Sequence, residues 1–522
     1  MEILFWAGPA LLLCASLLLL APGSNRNAPI IILLMTLVTT GFGVLLGLWQ
    51  AGIGAIWAAL CLAVLGLCKS RGWQLAPVAR YCLVLGTLSC AALAGYVNWS
   101  APIRSLPHPD GSFQVGVVDF VIEDESRPGL QGAPHSSPRK LLVRAYYPAD
   151  SDVTANVEPY MTAQEAEAVA SGETALGEPG VLNKHLQHIP THTYRRVSAA
   201  SGRFPVVIRS NGFSSHVASS TILHTHLASH GYVVFSLTHP GDMSAVVYPD
   251  GSVHPIAKET LASMSKRHHQ KKRVGEQLPP PIEEHFFDTL WRDTEQFNWV
   301  RLAPEGMHRS HATWMADIGF LADQLFANQL PADAMKLLPD LALQDLAFAG
   351  TSFGGTASVA ACHRDSRCRA AINIDGANFD PELVNATVRM PALSLQQDFS
   401  RIPQFAEARM HGIRNPRDTV YEKNQDAGLT GLVERVEIKG MRHQSFSDST
   451  WFARGATARG ITATGALSPE RTVALTTQLV TAFLDEQIKR DGGAFAKAVE
   501  ALPEAEQYSL EALREWALAR PD

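Results

Sequence analysis

Charge is almost absent from the first fifth of this chain. Its 522 residues include 44 Lys and Arg and 50 Asp and Glu, yet only Glu2, Arg26, Lys69, Arg71 and Arg80 fall within the first 100 positions. A water-facing surface needs roughly a quarter of its residues charged, and this stretch has far fewer. It reads as a membrane region, which also accounts for a mean hydropathy of +0.01. The remainder is long enough for one large domain or two modest ones. The first 100 residues carry a net +3, so the rest carries −9 of the overall −6. A surface that acidic offers no footprint for nucleic acid, which requires clustered Lys and Arg. With 46% hydrophobic residues, disorder is excluded as well.

Four apolar runs stand out: Ile3–Ala21, Pro29–Trp49, Ala51–Cys68 and Tyr81–Val97. Each approaches the ~20 residues that cross a hydrocarbon core as helix. Glu2 stands where a signal peptide would carry basic residues, so the first run is expected to be retained. Only Gln50 separates the second and third runs, and a tight hairpin is expected there. With four spans, Arg26, Lys69, Arg71 and Arg80 share one side, which the positive-inside rule makes cytoplasmic. This predicts an integral inner-membrane protein whose large domain faces the periplasm or exterior; three spans would reverse it. Residues 1–99 are thus expected to be transmembrane, 100–112 (SAPIRSLPHPDGS) a linker, and 113–522 one catalytic domain. Thirteen extended residues reach at most ~45 Å, so the domain stays near the bilayer.

Beyond the linker, Phe113–Glu123 and Lys140–Tyr147 alternate like antiparallel strands, the second ended by Pro148. From Phe204 the pattern becomes strands at Val206–Ser210, Tyr232–Leu237, Leu346–Ala349, Ala370–Ile374, Ala392–Leu395 and Val433–Lys439. Helices are expected at about Val217–Ser229, Thr313–Ala327, from Phe353, and from Pro469 to about Lys489 with Ser468 as N-cap. Such alternation means an α/β fold, a mostly parallel sheet with helices on both faces. Residues 242–297 do not fit it. They leave a strand's C-terminal end, where sites of such sheets form, and read as a surface excursion or a cap. Their basic run SKRHHQKKR is suited to anionic headgroups.

Five cysteines (Cys14, Cys61, Cys68, Cys82, Cys90) sit in apolar runs as small hydrophobes. Cys362 and Cys368, in ACHRDSRC, would close a disulfide in an oxidising compartment and remain thiols otherwise. The histidine pairs His185/His188, His224/His226 and His268/His269 lack carboxylate or thiolate companions at metal spacing, so no metal site is expected.

The strongest chemical signal is Gly350-Thr351-Ser352-Phe353-Gly354, between an apolar strand and a helical stretch. Gly-x-Ser-x-Gly occurs by chance in many sequences, but in strand–turn–helix context it is a nucleophile elbow. A serine hydroxyl needs a base, and the base an orienting carboxylate. Asp375 ends the strand Ala370–Ile374, and His443 follows the strand Val433–Lys439, so both emerge at the same sheet edge. Asp398, after Ala392–Leu395, is the rival acid. Two backbone N–H donors are needed for the oxyanion. Phe353 supplies one, and Phe213, in the Asn211-Gly212-Phe213 turn, the other. No cofactor is required, because the chain supplies nucleophile, base and donors.

Several segments now resemble one family in order. RSNGFSSHVASSTILHTHLASHGYVVFSLTHPGD (Arg209–Asp242), GTSFGGTASVAACHRDSRCRAAINIDG (Gly350–Gly376), MRHQSFSD (Met441–Asp448) and the opening VGVVDFVIEDESRP and RKLLVRAYYPAD are similar to the platelet-activating-factor acetylhydrolases of the plasma and intracellular type II kind. The resemblance runs from about Phe113 to Lys489 and implies an α/β-hydrolase fold. It implies Ser352 as nucleophile, Asp375 as acid, His443 as base, and Phe213 and Phe353 as oxyanion donors. It also implies a serine carboxylic-ester hydrolase acting on short or oxidised acyl groups of phospholipids, or on similar small esters. Asn211-Gly212 stands where the family usually has His-Gly, and Thr351 where its elbow has His; these departures bear on acyl specificity. Alternatives are a lipase or polyester hydrolase of the same fold, or a membrane receptor whose hydrolase-like domain only binds ligand.

Overall fold

A computed structural model describes the chain except residues 1, 22–26, 130–136, 151–154, 172–179, 263–304, 384–385, 400–416, 510 and 512–522. The runs SKRHHQKKR and LPPP of the expected cap, and Arg26, lie outside the described residues.

The apolar runs form four helices, α1 (Glu2–Leu20), α2 (Ala28–Leu45), α3 (Gly52–Ser70) and α4 (Pro77–Ser100). All four are long and apolar enough to cross a membrane. The α2–α3 turn is wider than one residue: it runs from Leu46 through Gly47 (φ 88°) and a 3-10 turn, Trp49–Ala51. Gln50 is buried within it and donates to Ala101 O (3.2 Å) at the end of α4. At the opposite end of the bundle Arg80 Nε donates to Leu19 O (2.6 Å).

The remaining strands are β1 (Gln114–Pro128), β2 (Pro138–Ala149), β3 (Val157–Pro159), β4 (Pro190–Arg195), β5 (Arg203–Ser210), β6 (Val233–Leu237), β7 (Ala245–Val247), β8 (Val253–Pro255), β9 (Asp340–Thr351), β10 (Cys368–Ile374), β11 (Ala392–Gln397), β12 (Val433–Ile438) and β13 (Ala505–Gln507). Among the described residues they make an 11-stranded sheet in the order β13-β12-β11-β10-β9-β5-β6-β2-β1-β4-β3, plus the β7–β8 hairpin. The run from β12 to β6 is parallel, and β2 joins β6 antiparallel. Side chains on successive strand residues point to opposite faces, and the two cores follow. Val206, Ile208 and Phe348 pack beneath α7 (Glu305–Phe326) and α8 (Phe353–Arg364). Val207, Ala347 and Ile372 pack beneath α6 (Thr221–Ser229) and α10 (Pro469–Gln487), while α5 (Ala163–Ser171) lies between β3 and β4 in the chain and α9 (Thr419–Asp426) just before β12. Burying each large aliphatic side chain is worth about 1.5–3 kcal/mol. Ser468 caps α10, its side chain accepting from Arg471 N (3.2 Å).

One sequence expectation needs correction. Pro148 does not end β2; it pairs opposite Val115, beyond Tyr146, the last residue paired with β6. A proline at that margin removes no ladder bond that the sheet depends on. The segment 100–112, expected as a linker, packs against the α/β part. Ile103 and Leu106 are buried, Arg104 donates to Trp451 O (2.8 Å) and lies 3.6 Å over its ring, and Leu106 N donates to Pro190 O (3.0 Å). Phe5 and Leu48 join the same apolar cluster. The start of α1, the α2–α3 turn and the end of α4 therefore meet the α/β part on one side. Of the alternatives left open for Cys362 and Cys368, the structure has the disulfide, with Cα atoms 5.2 Å apart, joining the end of α8 to the start of β10.

Candidate active site

Ser352 sits between β9 and α8 at φ 56° and ψ −124°, a backbone conformation that costs a non-glycine residue about 1–3 kcal/mol. Neighbouring bonds hold it there: Ser352 N donates to Ile374 O (2.7 Å), and Gly355 N donates to Ser352 O (3.0 Å). The flanking glycines are sterically required. A Cβ at Gly350 would lie 2.1 Å from Gly354 O, and one at Gly354 would lie 2.3 Å from Asn211 O. The turn therefore presents a half-buried serine at the carboxyl edge of the parallel strands.

Asp375 leaves the end of β10 with its side chain fully buried. Its Oδ2 lies 2.5 Å from His443 Nδ1, while Oδ1 accepts from Gln397 N (3.2 Å) and lies 3.3 Å from Arg417 Nε. His443 N donates to Gln397 Oε1 (2.9 Å), which fixes the backbone on which the ring turns. Among the described residues the His443 ring bonds through Nδ1 alone, so Nε2 is available for a proton. Asp398 does different work: its Oδ2 accepts from Gly440 N (2.8 Å) and its N donates to Met441 O (3.0 Å). It clamps the loop that carries His443.

The turn after β5 lies against the elbow. A Cβ at Gly212 would be 3.4 Å from Ser352 Cβ. The rings of Phe213 and Phe353 meet edge-on at 5.1 Å. Among the described residues neither the Phe213 nor the Phe353 amide donates to a protein acceptor. Asn211 Nδ2 reaches His216 O and Val217 O (both 3.3 Å), tying the turn from inside. Thr351 Oγ1 accepts from Arg209 Nη2 (2.7 Å). Burial pulls the Arg209 guanidinium down to about 10, opposed by Asp448. Burial in turn pushes the Asp448 carboxyl well above its ordinary value, while its oxygens accept from Ile222 N (3.4 Å) at the start of α6. The histidine segment is thus anchored behind the turn that follows β5.

Sequence patterning gave no sign of a second Ser–His–Asp run directly beneath this turn. Ser210 Oγ lies 3.1 Å from His239 Nε2, and His239 Nδ1 lies 2.9 Å from Asp317 Oδ2. All three are fully buried, so none can touch a substrate. Arg139 grips Asp317 with two bonds of 2.6 Å, and the His239 ring stacks on Trp314 at 3.9 Å. Trp314 in turn stacks on Phe213 at 6.2 Å. Its members lie far apart in sequence, and no local motif marks them. The expectation that His226 lacks a carboxylate companion also needs correction: Asp110, from the segment after α4, lies 2.9 Å from its Nδ1.

With this geometry in place, comparison with known proteins is decisive for the family. The model of platelet-activating factor acetylhydrolase, isoform II, matches residues 100–274 and 318–505, well over half of the chain. The chain belongs to this acetylhydrolase family. The four apolar helices α1–α4 lie almost wholly outside the matched region, so they are an addition to the family domain. Among solved structures, a ferulic acid esterase from Streptomyces cinnamoneus is 21% identical, covering 78% of this chain and 100% of its own, with a TM-score of 0.57. That likeness is one of fold, and it agrees with the α/β-hydrolase architecture. No curated protein matches the chain.

Proposed function

We propose that this acetylhydrolase-family chain is a membrane-anchored serine ester hydrolase working through an acyl-enzyme, with residues 1–99 as its anchor and 113–522 as its catalytic domain. The observation that carries the reading is the 2.5 Å contact of buried Asp375 with His443, at the edge where the strained Ser352 turn emerges. In this reading Ser352 Oγ attacks the ester carbonyl as His443 Nε2 takes its proton. Asp375 holds the Nδ1 proton and favours the imidazolium that forms. The Phe213 and Phe353 amides donate to the oxyanion. Collapse expels the alcohol, protonated by His443, and leaves an acyl group on Ser352. Water, activated by the same histidine, then releases the acid.

Family and placement support one substrate class: a short or oxidised acyl ester of a phospholipid, or a similar small ester. The His443 segment runs into Trp451, whose indole donates to Ser105 O (3.0 Å) beside the end of α4. The catalytic loop and the membrane-proximal segment are therefore one packed unit, which suits an ester drawn from the bilayer. Four spans with their basic loops in the cytoplasm would set the catalytic domain in the periplasm or exterior.

The test uses the full chain in detergent. A fluorophosphonate probe should label the wild type and fail on Ser352→Ala, and an ester panel of graded acyl length should show falling kcat/KM beyond short chains. Failure of the wild type to label would favour a ligand-binding receptor. A preference for long chains would favour a lipase or polyester hydrolase.

A further inference from the structure

At the opposite edge of the sheet from Ser352, where β5 and β6 begin, α6 ends in two histidines one turn apart. His226 is buried inside the last turn and His230 caps it. Asp110 reaches both from the membrane-proximal segment, its Oδ1 lying 2.9 Å from His226 Nδ1 and 3.0 Å from His230 Nε2. The three ligand atoms lie within 4.8 Å of one another. We infer that Asp110, His226 and His230 form a zinc site that staples the segment following α4 to α6.

Two imidazole nitrogens and a carboxylate oxygen are the donor set that a borderline divalent ion prefers. Zinc holds such atoms at about 2.0–2.2 Å, which sets tetrahedral ligands about 3.3 Å apart. The two nitrogen–carboxylate separations, 2.9 and 3.0 Å, need to open by only a few tenths of an ångström. Without an ion each ring can donate to Asp110; with one, each turns a lone pair inward as its other neutral tautomer. Neutral rings are what a metal requires. Lys489, whose Nζ bonds His230 O (2.8 Å), is paired with Asp485 (2.8 Å), which offsets its charge. The Asp110 side chain is 69% exposed, so solvent can supply the fourth ligand.

Such a site would lock the anchor's exit segment onto the α/β core independently of catalysis. The experiment uses untagged full-length protein in detergent, stripped with a chelator and titrated with zinc chloride. Zn2+ should bind with one-to-one stoichiometry and raise the unfolding temperature by a few degrees, whereas Mg2+, which prefers oxygen ligands, should not. The shift should disappear in Asp110→Asn and in His230→Gln, two partly exposed positions where the fold tolerates replacement. As a measurement independent of stability, Co2+ should develop visible absorption in the wild type and lose it in both variants. No zinc shift in the wild type, or an undiminished shift in both variants, would overturn the site.

Discussion

Asp375 and His443 stand 68 positions apart in the chain and meet at 2.5 Å, with the carboxylate fully buried and the ring half exposed. The buried partner is held by β10 and β11, and the ring is carried on a loop that Asp398 clamps. This division of labour predicts unequal variants. Asp375→Asn should lower kcat by about 10⁴, because the wrong imidazole tautomer then faces the serine. Asp398→Asn should keep the tautomer and lose only loop rigidity, so its loss should be far smaller. Steady-state kinetics on both decides between them, and a larger loss in Asp398→Asn would reassign the acid.

Phe213 offers a backbone test. Its amide is proposed to bind the oxyanion, so changing the side chain should have moderate effect. Phe213→Pro removes the N–H and should cost about 10²–10³ in kcat with little change in KM. Near-full activity of the proline variant would move the donor elsewhere.

The proposed nucleophile, acid and base are legible in the sequence because each sits at the end of a short apolar strand, where local pattern brings them to one sheet edge. The buried platform beneath them is not. Arg139, His239, Trp314 and Asp317 come from β2, the end of β6 and α7, and their bonds exist only once the sheet is assembled. For the same reason Asp110 looks like an ordinary turn residue until α6 is packed beside it. The edge strands β3 and β13 and the β4 strand beside β3 are short and polar, and pairing rather than pattern makes them strands. The docking of residues 100–112 escapes a composition argument too, since proline, serine and glycine signal a linker whether or not it packs.

That platform makes a stability prediction. Asp317 is fully buried and neutralises Arg139, and although burial opposes its charge, Arg139 and His239 hold its carboxyl far below the ordinary range. Asp317→Asn leaves a buried guanidinium uncompensated and should cost about 3–5 kcal/mol. Chemical denaturation of the purified variant measures it. A loss under 1 kcal/mol would mean that water replaces the carboxylate.

The contact between the N-terminal helices and the α/β part should be acid-labile. His185 is buried beside Trp49, whose Nε1 lies 3.2 Å from its Nδ1, and burial pulls the ring down to about 4. An unfolded histidine titrates near ~6.5, so the unfolded state binds the proton first. The stabilisation is fully present above ~6.5 and is lost as pH falls to about 4, amounting to about 3 kcal/mol for this group. Unfolding temperature followed from pH 7 to 4 should fall less steeply in His185→Gln. Equal slopes would place the acid sensitivity at another group.

The last prediction joins topology to the disulfide. If Arg26, Lys69, Arg71 and Arg80 face the cytoplasm, Ser352 and the Cys362–Cys368 pair lie outside it. Ser105 suits a reporter, since its side chain is exposed within the docked segment beside α4. In intact cells, Ser105→Cys should react with a membrane-impermeant thiol reagent, above the background set by the wild-type cysteines. The bridge closes a short loop at a sequence separation of 6 and should stabilise by about 2 kcal/mol in the chain-entropy picture. It also holds the end of α8 beside the strand that bears Asp375. Non-reducing peptide mapping should recover Cys362 linked to Cys368, and reduction should lower the unfolding temperature without abolishing probe labelling. Protection of the Ser105→Cys thiol until lysis would put the catalytic domain in the cytoplasm, where the pair would be expected reduced.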